Sequence, residues 1–138
     1  MENRHIVLDT ETTGLEVEKG HRIIEIGGVV MNGRKKTSET FHVYINPQRE
    51  IDKEAQAVHG ISNEDLQDKP IFSEIAEDLL EFIDGSTLVI HNADFDVGFL
   101  DAEFRIASST YPSISDICEI KDTLAIARNK FPGQRNSL

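Results

Sequence analysis

The apolar residues of this chain change period at Pro70, from the alternation of strands to the spacing of helices, and that switch limits the folds open to it. Before Pro70 stand three strand-like runs. Ile6-Val7-Leu8 is short and β-branched, and it empties into the polar loop Asp9-Thr10-Glu11-Thr12-Thr13-Gly14. Residues 22–30 form a second run, in which Gly27-Gly28 permits a bulge or a close approach. Asn32-Gly33 is a hairpin signal. The return strand sets Phe41, Val43 and Ile45 against His42 and Tyr44 until Asn46-Pro47 stops it. Beyond Pro70, Phe72, Ile75, Ala76, Leu79, Leu80 and Ile83 recur at helical spacing, opposite a solvated face of Glu74, Glu77, Asp78, Glu81 and Asp84. Gly85 closes that helix. Residues 87–90 read as a fourth strand, 95–106 as a helix, a segment near Ile117 as a fifth strand, and 120–128 as a further helix. The order βββ-α-β-α-β-α predicts an α/β fold, a mixed five-stranded sheet with flanking helices.

At 138 residues and 38% hydrophobic content the chain suffices for one domain with a real core. Fourteen basic residues against 25 acidic leave a net charge of −11, which argues against a protein that coats duplex DNA or an anionic membrane. It leaves room for an enzyme that grips a few nucleotides through bound cations. The basic groups Arg34-Lys35-Lys36 and Arg128, Lys130, Arg135 read as solvated surface. Only three apolar residues follow Met1-Glu2-Asn3-Arg4-His5, too few for a signal peptide, and no run approaches the ~20 residues of a membrane span. A lone Cys118 excludes an intrachain disulfide. The expectation is a soluble cytoplasmic protein without membrane contact.

Chemistry concentrates at two strand ends. In Asp9-Thr10-Glu11 a continuing strand puts both carboxylates on one side, with Cα atoms ~6.6 Å apart. Carboxylates that close hold a proton unless a cation sits between them, and hard oxygen ligands favour Mg²⁺ or Mn²⁺ over zinc. Exposed turn acids before Thr13-Gly14 are the competing account. In His91-Asn92-Ala93-Asp94-Phe95-Asp96 the helix turns the two aspartates about 200° apart, so only one can serve a shared site. Asp94 is expected to cap the helix or point away.

These segments resemble the first two motifs of the DEDD superfamily of 3′–5′ exonucleases: Asp9-Thr10-Glu11-Thr12-Thr13-Gly14, and His91-Asn92-x-x-Phe95-Asp96. Further matching segments are residues 20–27 (GHRIIEIG), Phe41-His42-Val43-Tyr44, Val58-His59-Gly60-Ile61 and Phe131-Pro132-Gly133-x-Arg135-Asn136-Ser137-Leu138. With them the chain is similar, from end to end, to the proofreading subunits of bacterial replicative DNA polymerases. The resemblance implies a ribonuclease H-like fold. It implies two divalent cations, Mg²⁺ or Mn²⁺, held by Asp9, Glu11 and Asp96, with Asp9 bridging them. It implies Glu54 and His59 as contacts to the terminal nucleotide, with Thr10, Thr13, Leu15, Asn92 and Phe95 as further substrate contacts. The partners implied are a single-stranded or frayed 3′ end of DNA, the polymerase's catalytic subunit and other holoenzyme subunits.

The family's third motif, a histidine five positions before an aspartate, is expected beyond Leu138. His91 stands five before Asp96, but Asp96 already fills the second-motif position. Asn136-Ser137-Leu138 looks like the start of a helix, so residues 1–138 are expected to be the N-terminal part of an exonuclease domain, lacking its C-terminal helices and near-inactive alone. A related RNA-degrading exonuclease and a catalytically dead binding scaffold are the alternative readings.

Overall fold

Five strands build one sheet: β1 (His5–Thr12), β2 (Ile23–Asn32), β3 (Lys35–Tyr44), β4 (Thr87–Ile90) and β5 (Glu119–Asp122), in the spatial order β3-β2-β1-β4-β5. β1–β2 and β2–β3 pair antiparallel; β1–β4 and β4–β5 pair parallel. The sheet is therefore mixed and five-stranded, as its sequence pattern predicts. The structure, a computed structural model, describes residues 4–130. The turn and helix start read at residues 131–133 and 136–138 lie outside that range. Among the described residues no helix is long and apolar enough to cross a membrane.

The helices are α1 (Lys53–His59), α2 (Asn63–Leu66), α3 (Phe72–Ile83), α4 (Ala93–Ala107), α5 (Ile114–Ile117) and α6 (Thr123–Lys130). Several boundaries differ from the sequence reading, first of all β1, which runs on to Thr12 through the acids read as a loop. Ile117 belongs to the short helix α5, and the fifth strand starts two residues later. Ile120 is in that strand, so α6 starts at Thr123. α4 begins at Ala93 rather than Phe95. Neither α1 nor α2 was anticipated, because neither carries a long apolar stripe. α1 buries no residue, and the pair sits over a small satellite cluster of Ile24, Ile51 and Leu66.

Alternation along β1 turns Ile6, Leu8, Thr10 and Thr12 inward and leaves Val7 and Asp9 exposed, with Glu11 half-buried. Of these, Ile6 and Leu8 meet Phe72, Leu79 and Ile83 of α3 and Phe99, Leu100 and Phe104 of α4 in one core. Phe72 and Phe104 meet edge to face there, ring centroids 5.0 Å apart.

β1 outruns its parallel neighbour. Only His5, Ile6 and Val7 pair with Thr87, Leu88 and Val89, so from Leu8 to Thr12 the strand is flanked by β2 alone. At the level where β4 stops, Asn92 takes a left-handed backbone (φ 64°) and starts α4. The first turn of that helix is thereby delivered beside the unpartnered end of β1. Crevices at the carboxyl ends of parallel strands are where open α/β sheets bind ligands.

One buried ion pair fixes α4 against the sheet. Glu103, 2% exposed, accepts from Arg22 Nε (2.9 Å), Arg22 Nη2 (2.6 Å) and the Ile23 backbone N–H (2.9 Å). Removing one partner of such a pair strands the others in a dry site. Glu103→Ala is expected to cost about 3 kcal/mol of stability, read as the shift in a urea unfolding midpoint. A change within experimental error would show that the pair is neutral to the fold.

Candidate active site

Asp96 is the centre of the site. It is 4% exposed, and its Oδ1 accepts a hydrogen bond from Thr10 Oγ1 at 2.6 Å. Burial pushes its pKa up to about 7, and the charges of Asp9, Glu11 and Asp122 push the same way. The Thr10 hydroxyl opposes that rise without cancelling it. Burial also raises Asp9, against a hydrogen bond from the Thr10 backbone N–H, with Glu25 adding to the rise. Glu11 is raised by burial and then by Asp9, with His59 opposing. Three carboxylates whose ionisation is discouraged by burial and by other carboxylates form a site whose chemistry asks for a cation.

The donor set, all hard oxygen, suits Mg²⁺ or Mn²⁺. The geometry corrects the expectation of full convergence. Among the described residues no three His, Cys, Asp or Glu side chains gather closely enough to hold an ion together. Asp9 and Glu11 leave β1 on the face opposite Thr10, while Asp96 is hydrogen-bonded to Thr10 itself. Strand alternation and the Thr10 hydroxyl together account for that placement.

Beside the acids lies a groove of about 420 Å³ between the β1 loop and α1. Its lining includes Thr10, Glu11, Leu15, Glu54, His59 and Phe95 of the residues singled out in the sequence, and adds Ala55, Val58 and His21. Leu15 and Val58 are 81% and 84% exposed there, an unusual state for two branched aliphatic side chains facing one cleft.

His59 is held at both ring nitrogens. Its Nε2 donates to the Thr12 carbonyl (3.2 Å), and its Nδ1 accepts from the Ile61 N–H (3.0 Å). Gly60, left-handed at φ 74°, ends α1 and turns Ile61 back to make that second bond. With the neutral ring these bonds select the Nε2–H tautomer.

A second histidine ties the loop to α1 from beneath. Thr13 Oγ1 accepts from the Arg22 N–H (3.0 Å) and bonds His21 Nδ1 (2.8 Å), while His21 Nε2 lies 3.2 Å from Asp52 Oδ2. A Cβ on Gly14 would come within 2.3 Å of the His21 ring, so only glycine leaves room for that side chain.

Some sequence assignments move. Thr13, read as a nucleotide contact, is fully buried with its hydroxyl committed to His21. Thr10 is also buried, and its hydroxyl serves Asp96. Asp9, Asn92 and Asp96 do not line the groove. Asp94 is exposed in the first turn of α4 and is not its cap, since Asn92 holds that position without a side-chain cap bond. What the sequence reading missed is Asp122, whose carboxylate accepts the Asn92 and Ala93 N–H groups from 29 and 30 residues away. An aspartate before a helical Thr-Leu-Ala is a capping signal, but nothing local says that it caps two helices.

Residues 6–138 match the RNase T exonuclease family. The chain is 50% identical over 139 residues to DNA polymerase III subunit epsilon of Escherichia coli (strain K12), covering 98% of this chain and 57% of the relative. It is 51% identical over 135 residues to the same subunit of Rickettsia prowazekii (strain Madrid E), covering 98% and 59%. The chain thus spans somewhat over half the length of these curated relatives. Among solved structures it resembles exonuclease X in complex with 5′ overhanging duplex DNA, at TM-score 0.72 and 28% identity, covering 96% of this chain and 68% of that one.

The raised pKa of Asp96 has a measurable consequence. The folded, ion-free protein keeps this proton up to about pH 7, whereas the unfolded chain releases it near the ordinary value of 3.8. The folded state therefore binds more protons in that window, and its stability falls as pH rises through it. Without divalent ions the melting temperature is expected to drop by roughly 3–6 °C between about pH 5 and pH 8. The drop should shrink in Asp96→Asn and keep only the share due to Asp9 and Glu11. Equal slopes in wild type and variant would remove Asp96 as the titrating group.

Proposed function

The chain belongs to the exonuclease family, and on that footing we propose that it carries a metal-dependent 3′–5′ DNA exonuclease activity, that of a proofreading subunit of a bacterial replicative polymerase. The substrate in this reading is a single-stranded or frayed 3′ end, released stepwise as nucleoside monophosphates. The observation that carries it is the raised proton affinity of Asp9, Glu11 and Asp96, with Glu11 lining a mainly apolar groove.

Asp9, Glu11 and Asp96 would hold two Mg²⁺ or Mn²⁺ ions, which when bound supply Lewis-acid chemistry to phosphodiester hydrolysis. Glu54 lines the groove on α1 and would meet the sugar of the terminal nucleotide, while Leu15, Val58 and Phe95 offer its base an apolar bed. An unpaired terminus enters such a groove more readily than a paired one, since it costs less to unstack. His59 presents a fixed edge, because both its nitrogens are engaged. In this reading the proton of the attacking water goes to the third-motif histidine.

A net charge of −11 gives the protein little grip on DNA away from its groove. Sustained work would then depend on a tether, and the catalytic subunit and other holoenzyme subunits of the replicative polymerase, in the bacterial cytoplasm, are the partners this reading names.

The test is a full-length protein incubated with Mn²⁺ and single-stranded DNA labelled at its 5′ end. Shortening from the 3′ end is expected, and Asp9→Ala should lower the rate by at least about 10²-fold. The variant should melt no lower than wild type in the absence of metal, since a repelling charge is gone. Asp9→Ala activity close to wild type would end this reading, and faster loss of RNA than of DNA would replace DNA as the substrate.

A further inference from the structure

We propose that Asp122 is a positioning residue for Asp96: its carboxylate clamps the first turn of α4 to the first turn of α6 and so sets the direction in which Asp96 is presented to a metal. The inference deepens the exonuclease reading and rests on it. β4 and β5 end level, Ile90 opposite Asp122, so the two helices that follow them begin side by side. Asp122 Oδ1 accepts from the N–H groups of Asn92 (3.1 Å), Leu124 (2.9 Å) and Ala125 (3.3 Å). Its Oδ2 accepts from the N–H of Ala93 (3.1 Å). One side chain therefore satisfies donors that two helix termini would otherwise leave open.

α4 needs this help. Asn92 enters the helix with φ 64° and makes no side-chain cap bond, so the turn that precedes Asp96 has no cap of its own. Asp96 follows Ala93 by three residues, within one helical turn, and a tilt of that turn carries the carboxylate with it. A second stitch runs alongside, His91 Nδ1 to Thr123 Oγ1 at 3.0 Å, across the same pair of strand ends. The four N–H donors also outweigh the burial that pushes the Asp122 carboxyl up, so its pKa lies below the ordinary value and it accepts as a carboxylate.

In the full-length protein Asp122→Asn keeps the shape but turns an amide nitrogen towards one of the donors. Loss of such an outer partner typically weakens metal binding by about 10–100-fold. Mn²⁺ affinity, followed by the electron paramagnetic resonance of free ion, is expected to fall within that range. kcat on single-stranded DNA should fall at subsaturating Mn²⁺ and recover at saturating Mn²⁺. A variant that merely melts lower, with Mn²⁺ affinity and kcat as in wild type, overturns the proposal. Should the variant not fold, amide exchange in the wild type decides. Asn92 and Ala93 are expected to exchange far more slowly than free peptide and to slow further with Mn²⁺, and exchange at the free rate overturns the proposal. Wild type that neither binds Mn²⁺ nor degrades DNA removes the exonuclease reading itself, whereas wild type that does both while Asp122→Asn matches it removes only the role of Asp122.

Discussion

Repulsion among Asp9, Glu11 and Asp96 is the constraint that the rest of the structure answers. Each is raised by burial, and another carboxylate adds to every rise. Left to itself such a group would splay or draw in water. Here the strand that carries two of the acids is the middle strand of a five-stranded sheet, and the helix that carries the third is anchored at both ends. Glu103 binds the far part of α4 to Arg22 and Ile23, and Asp122 holds its first turn. The two anchors fix where Asp96 stands relative to the strand of Asp9 and Glu11, which is the support that preorganised sites require.

Two carboxylates that hold the frame are themselves acidic, and they survive burial differently. Glu103 is neutralised by a guanidinium whose Nε and Nη2 both donate to Oε1, while one backbone donor takes Oε2. Asp122 is satisfied by backbone N–H groups at two helix termini, where the helix dipole favours negative charge. The functional acids have neither kind of compensation in full. Thr10 is the exception in miniature, giving its hydroxyl to Asp96 and its backbone N–H to Asp9.

Much of this was legible beforehand, for reasons that can be named. The strands and α3 announce themselves because their apolar period is strict, and the acids do because each stands at the end of a strand or just beyond one. α1 and α2 were invisible, since α1 buries nothing and so carries no apolar stripe. Thr13 was misassigned because a hydroxyl in a Thr/Gly loop looks available, and only folding brings His21 onto it. The convergence of the three acids failed for a related reason. Strand alternation places Asp9 and Glu11 together, but says nothing of which face the helical partner approaches. Asp122 lay beyond any local pattern, because its second helix starts 30 residues away.

The contacts that assemble the site also set when it can exist. Thr10 and Asp96 are 86 residues apart in sequence, Arg22 and Glu103 are 81, and Asn92 and Asp122 are 30. Loop-closure entropy makes pairings of that span late events in folding. During synthesis the strand bearing Asp9 and Glu11 leaves the ribosome well before β5 is made, so the turn that carries Asp96 has no clamp until that strand has docked.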